Sequence, residues 1–239
     1  MKRSLILFLT ALVFHFFNSN ISGQSQIPTN NKANQIVERV SLILDNELDS
    51  LNLNIGSPVY LRIFKQSKEL EVWIKNQNIY QLFKTYPVCT YGYGTIGPKL
   101  SEGDGQAPEG FYSVGHSTLN PYSIFHLSIG VGYPNAYDRA LNRTGSAIMI
   151  HGNCVSIGCF AMTDSIIEEI YTLIYRAFSN GQQNLRIDIF PFRITEENLE
   201  EHSDSEWYDF WVNLKEGYDL FENNKFPPRV RVRNNRYIF

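Results

Sequence analysis

Three stretches of two-residue alternation constrain this chain most. Residues 58 to 64 (Pro-Val-Tyr-Leu-Arg-Ile-Phe), 69 to 75 (Glu-Leu-Glu-Val-Trp-Ile-Lys) and 185 to 190 (Leu-Arg-Ile-Asp-Ile-Phe) put an aliphatic side chain at every second position. That is the period of a strand with one face in a core. Residues 79 to 88, 111 to 115, 123 to 131 and 146 to 150 read as further strands. Helical spacing brackets them. Ile36, Val37, Val40, Ile43, Leu44 and Leu48 predict an amphipathic helix over about 33 to 50, and Trp207, Phe210, Trp211, Leu214, Tyr218 and Phe221 trace a second apolar face. Pro227-Pro228 then separates that helix from an Arg-Val-Arg-Val-Arg alternation read as an edge strand. The expected fold is mainly β with flanking helices, a β-sandwich-like core and not a parallel α/β sheet.

Ahead of this core, Lys2 and Arg3 precede an apolar run from Leu5 to Phe17 and a small, polar stretch from Ser19 to Gly23. This is the pattern of a secretory signal peptide. Thirteen apolar residues fall short of the roughly 20 that span a bilayer as a helix, so a membrane association is expected only if the signal stays uncleaved. Cleavage near Gly23 leaves one main domain with ample apolar content, since 43% of the 239 residues are hydrophobic. The formal net charge of −3 opposes a dominant phosphate-binding role, and no nucleic-acid partner is expected. Three cysteines is a low, odd number for an exported chain, so disulfides do not make up the scaffold and at least one thiol stays unpaired within the monomer.

The chemistry concentrates in His151-Gly-Asn-Cys-Val-Ser-Ile-Gly-Cys159. A cysteine attacks a carbonyl as thiolate and needs a base beside it, which histidine supplies near neutral pH. Eight residues of extended chain hold two side chains too far apart to touch, so the spacing predicts a strand ending at His151 and a loop returning to Cys159. Gly152, Asn153 and Gly158 suit that turn. A helix is expected to follow, with Ser165 and Glu168 as its capping box. Backbone N–H groups near Gly158 and Cys159 would form an oxyanion hole, and Ser156 either caps the turn or bonds directly in the site.

The stretch from Ile150 to Asp164, Ile-His-Gly-Asn-Cys-Val-Ser-Ile-Gly-Cys-Phe-Ala-Met-Thr-Asp, resembles the active-site motif of the L,D-transpeptidase catalytic domain (YkuD-type) family, and within it the YafK-like branch. Residues 106 to 114 (Gln-Ala-Pro-Glu-Gly-Phe-Tyr-Ser-Val), 132 to 139 (Gly-Tyr-Pro-Asn-Ala-Tyr-Asp-Arg), 143 to 145 (Arg-Thr-Gly) and 190 to 193 (Phe-Pro-Phe-Arg) are similar to the same branch. The resemblance covers roughly 57 to 195. It implies a cysteine acyl-enzyme on peptidoglycan stem peptides, with Cys159 as nucleophile, His151 as proton acceptor and donor, and Ser156 and Gly158 shaping the loop. It implies no cofactor, and it places the protein in the periplasm or cell envelope. Ile157 and Ala161 depart from the commoner family pattern, which has a histidine and an Arg or Asn there. The branch is linked with hydrolysis at diaminopimelate that releases a wall-linked lipoprotein, so water is an alternative acceptor and such a lipoprotein an alternative partner.

The domain organisation expected is a signal peptide at 1–23, a linker and N-terminal helix at 24–56, the catalytic domain at 57–195 and a helical C-terminal extension at 196–239. Arg139, Arg143, Tyr133, Tyr137 and His116 are candidates for substrate binding, the arginines as carboxylate ligands; the alternative for Arg143 and Arg139 is a salt bridge with Asp138. Cys154 is either a packed thiol or a partner for Cys159, and Cys89 a core thiol. His116, His126 and His151 invite a zinc hypothesis that their spacing does not support. A catalytically idle wall-binding module and a metal-dependent peptidase are the alternatives from other classes.

Overall fold

A computed structural model describes residues 26 to 239; the expected signal peptide lies outside the described residues. Asn30 begins the first helix, α1 (Asn31–Asp49), by accepting the Ala33 N–H at 2.8 Å on its side-chain oxygen. Ile36, Val37, Val40, Leu44 and Leu48 face the core as their spacing predicts, but Ile43 points to solvent.

The three alternating stretches form β1 (Val59–Phe64), β2 (Glu69–Asn76) and β10 (Leu185–Phe190), joined by β3 (Ile79–Pro87) and β5 (Gly110–Val114). They make one five-stranded sheet in the order β3-β2-β1-β10-β5, antiparallel except for the central β1–β10 pair. Every residue of β1 is buried, because both faces of the sheet are covered. Val59, Leu61 and Ile63 enter the main core, shared with α1 and with α3 (Asp164–Ser179), while Tyr60 and Phe64 join aromatic clusters on the other face. Each fully buried aliphatic side chain contributes about 1.5 to 3 kcal/mol.

That other face is covered by α5 (Tyr208–Asn224), which supplies Trp211, Leu214, Tyr218 and Phe221 to the aromatic clusters. Arg62, on the same face as Tyr60, is buried against the Phe64, Tyr218 and Phe221 rings and bonds Glu222 at 2.6 Å. The terminal alternation is shorter than expected and is not an edge of either large sheet. It forms a separate hairpin of β11 (Arg231–Arg233) and β12 (Arg236–Ile238), because Asn234 and Asn235 both take positive φ, the two-residue turn that matches strand twist. Tyr237 on β12 is buried against Phe111 and Tyr137.

A second sheet carries the order β4-β9-β8-β7-β6, from β4 (Thr90–Tyr91), β6 (Leu119–Asn120), β7 (Ser128–Gly130), β8 (Met149–His151) and β9 (Phe160–Ala161). Its β8–β9 pair is parallel. The strand expected over 123 to 131 shrinks to 128 to 130, because His126 sits at φ 71 and Ser123 accepts the Phe125 N–H to form a turn. Two short helices, α2 (Ala136–Ala140) and α4 (Glu196–Glu200), complete the chain. The mainly β class with flanking helices holds. Among the described residues no helix is long and apolar enough to cross a membrane.

Candidate active site

β8 ends at His151, and Cys159 is the last residue before β9. Ile150 pairs with Phe160 and His151 with Ala161 in parallel register, so Cys159 comes level with Met149 at the entry of the strand pair while His151 stands at its exit. The loop between them reverses through Asn153 and Cys154, at φ 67 and 50. Gly152 does not make that turn. It is there for space: a Cβ would fall 2.5 Å from Asp164 Oδ1 and 2.9 Å from the Phe125 carbonyl oxygen. Gly158, at φ 149, does need glycine's backbone freedom.

Cys154 is disulfide-bonded to Cys89, with 5.3 Å between Cα atoms and 65 residues between them in sequence, and Cys159 is the free thiol. Both the packed-thiol reading of Cys154 and its pairing with Cys159 are thereby corrected. The bridge ties the loop to the segment between β3 and β4. The Asn153 N–H donates to Asp164 Oδ1 at 2.8 Å, which fastens the same loop to the start of α3. That helix begins at Thr163, whose hydroxyl accepts the Ile166 N–H; Ser165 is already inside it, and Glu168 turns to His126 and Arg39. Ser156 Oγ accepts the Gly158 N–H at 3.1 Å and donates to the Cys159 carbonyl at 2.8 Å, so it caps the turn.

His151 is buried, its ring tilted against Phe125 at 4.5 Å between centroids. Its Nδ1 lies 2.7 Å from the Gly152 carbonyl oxygen. A carbonyl only accepts, so Nδ1 carries the hydrogen of the neutral imidazole and Nε2 keeps the lone pair. Burial lowers the pKa of His151, partly opposed by that hydrogen bond. Burial raises the pKa of the Cys159 thiol, opposed by a bond from the Met149 backbone and by the positive charge of Lys99. Both shifts favour a neutral thiol and a neutral imidazole at rest, and the thiol lies 3.5 Å from the Ala147 carbonyl oxygen as its acceptor.

His151 and Cys159 share a cleft of about 600 Å³ with Phe125, Ile148, Val155 and Lys99. Gly158, Ser156 and the highly exposed Ile157 also line it. None of the remaining substrate-binding candidates is among the residues lining the cleft. Arg143 is buried against the Tyr137 and Phe210 rings and bonds Asp138 at 3.0 Å. Tyr137 stacks between Phe210 and Tyr237, and Arg139 donates to the Pro134 carbonyl. Tyr133 is buried with its hydroxyl on the Lys99 and Thr144 carbonyls. His116 lies edge-on to Phe178 at the far end of α3. His126 pairs with Glu168 at 2.8 Å, and among the described residues no group of His, Cys, Asp and Glu is arranged to hold a metal.

Sequence reasoning missed Lys99 and Phe125. Lys99 sits on a loop whose base is clamped by the fully buried Lys65–Glu109 pair. Lys65 Nζ donates to the Gly97 and Ala107 carbonyls as well as to Glu109 at 2.9 Å, and Glu109 also accepts from Gly97 N and Trp211 Nε1. The only local signal was a glycine on each side of Asp104, the partner of Lys99.

A thiol and an oriented histidine flank a parallel strand pair on a two-sheet β framework, and the chain belongs to the L,D-transpeptidase catalytic domain family, whose model matches residues 58–189. Among curated proteins, it is 47% identical over 184 residues to "Putative L,D-transpeptidase YafK" of Escherichia coli, in strain K12 and in O157:H7, covering 77% of this chain and 74% of each relative. Among solved structures it is similar to the helical cell shape determining protein Pgp2 (K307A mutant) of Campylobacter jejuni, with 18% identity and a TM-score of 0.47, over 82% of this chain and 66% of that one. Bd1075 of Bdellovibrio bacteriovorus follows with 18% identity and a TM-score of 0.40, over 74% of this chain and 78% of that one.

Proposed function

We propose that this protein is a cell-envelope enzyme that cleaves peptidoglycan stem peptides at a carbonyl beside a D-centre, through a thioester on Cys159. The observation that carries this is the Nδ1 contact of His151 with the Gly152 carbonyl, which leaves Nε2 as a base in the cleft that Cys159 lines. His151 Nε2 takes the thiol proton as sulfur attacks the carbonyl carbon. The Gly158 N–H is engaged by Ser156, so the Cys159 N–H is the loop amide assigned to the tetrahedral oxyanion. Collapse breaks the C–N bond, His151 gives its proton to the leaving amine, and a thioester remains.

Water or a second amine then resolves the thioester, giving hydrolysis or transpeptidation. Hydrolysis, including release of a wall-linked lipoprotein, is favoured by one feature. Position 161, where the commoner pattern has a substrate-orienting side chain, is a fully buried alanine in β9. Product analysis of wild type and Cys159→Ala on peptidoglycan, free tetrapeptide muropeptides and lipoprotein-linked muropeptides tests both readings. Shortened stems or released lipoprotein that require Cys159 identify a hydrolase, and new cysteine-dependent crosslinks a transpeptidase. Absence of any cysteine-dependent product leaves the idle wall-binding module as the better description.

A further inference from the structure

We propose that Lys99 is the anchor for the free carboxylate of the acyl donor, the part that the sequence assigned to Arg139 and Arg143. This rests on the stem-peptide reading above. Lys99 is the only lysine or arginine among the described residues lining the cleft, and Glu102 is the acid on the same wall. Phe125, Ile148 and Val155 make the walls otherwise largely apolar, so a carboxylate entering here has one favourable place to go.

Lys99 is built into position. The residue is only 4% exposed. Its Nζ donates to the Ser101 carbonyl at 2.8 Å and to Asp104 Oδ1 at 2.6 Å. An ammonium has three N–H groups, so one remains to be given to a ligand. Asp104 also accepts the Leu100, Ser101 and Gln106 amides at 2.8, 2.9 and 3.0 Å, so its negative charge is shared between Lys99 and three backbone N–H groups. Gly145 completes the seat: a Cβ there would come within 2.9 Å of Lys99 Cε and 3.4 Å of the Tyr133 ring, so glycine at 145 is what lets the lysine stem lie against the cleft wall. A cation fixed in this way binds an anion without first losing side-chain freedom. Neither Arg143, bonded to Asp138, nor Arg139, held on the Pro134 carbonyl, is among the residues lining the cleft.

The test uses two probes: a stem tetrapeptide ending in a D-residue with a free carboxylate, and the same peptide as its C-terminal amide. Binding of both is measured by calorimetry to Cys159→Ala and to Cys159→Ala with Lys99→Met, and kcat and KM are measured with Cys159 intact. The expected result is a preference for the acid of about 10- to 100-fold in Kd and KM that Lys99→Met abolishes and Lys99→Arg partly restores. A near-UV circular dichroism spectrum and a thermal midpoint of Lys99→Met close to wild type show that the fold around the cleft persists. Equal binding of acid and amide, a preference that survives Lys99→Met, or no binding of either peptide overturns the assignment. Binding with the expected preference but no turnover by the protein with Cys159 intact would sink the reaction reading and leave the Lys99 anchor standing.

Discussion

The two five-stranded sheets of this molecule reach order by different means. In the sheet centred on β1 and β10 the strands are five to nine residues long, and apolar side chains cover both faces. In the sheet that carries the site no strand exceeds three residues. Its loops are held by particular ties: the Cys89–Cys154 bridge, the Asp164 carboxylate on the Asn153 amide, the two bonds of Ser156 and the Lys65–Glu109 clamp. Burial is non-directional and makes a scaffold, whereas covalent and hydrogen-bonded ties fix where a reacting atom sits.

The sharpest way to break this contrast is to strike each sheet once. Cys159→Ala is expected to abolish turnover, a loss of at least about 10³-fold, with thermal unfolding unchanged. Ile63→Ala, in the middle of β1, is expected to cost about 2 to 5 kcal/mol in urea unfolding while the folded fraction keeps its kcat. If either variant moved both quantities strongly, the two sheets would not have separate tasks.

Arg143→Ala is expected next in size among the remaining variants, about 3 to 5 kcal/mol, because it strands the buried Asp138 carboxylate without its guanidinium. Its signature is lost stability with KM unchanged in whatever remains folded. A raised KM at full stability would return Arg143 to the substrate. Replacing Cys89 and Cys154 together by serine is expected to cost about 2 to 4 kcal/mol, as expected for opening a long covalent loop, and to lower kcat by loosening the segment before Cys159. Unchanged urea midpoint and kcat would show that the bridge does not hold the site.

The smallest effect is on pH dependence. His151 is held below its ordinary value, so between the depressed folded value and 6.5 the unfolded chain binds more protons than the folded one. Stability from this group is therefore complete above 6.5 and is lost as pH falls through the folded value. Urea titrations of wild type and His151→Gln across this range should show a shallower acid slope in the variant. Equal slopes would mean that His151 ionises as freely when folded as when unfolded.

The same contrast explains what could be read from sequence. β1, β2 and β10 announce themselves because each is long enough to show a period of two, and α1 and α5 because their apolar faces repeat at helical spacing. His151 and Cys159 stood out because the chemistry-bearing residues lie within one contiguous stretch. Strands of two or three residues show no period, so the site sheet was mostly invisible and the stretch from 123 to 131 was overextended. Cys89 and Cys154 are 65 residues apart, and only the β4–β9 pairing brings their segments together. Arg143 and Tyr137 sit near His151 in sequence, yet they pack under Phe210 of α5, and Tyr137 also against Tyr237 of β12. Lys99 gave no pattern because its position depends on a clamp formed by Lys65 and Glu109.

The most direct test of the account is acid-quenched mass spectrometry of the intact protein during reaction with a tetrapeptide stem, followed by peptide mapping. A thioester adduct is expected on the peptide containing Cys159, weakened or absent in His151→Gln, with Cys89 and Cys154 recovered as a linked pair. Product formation by Cys159→Ala, or an adduct mapped to any other residue, would contradict it.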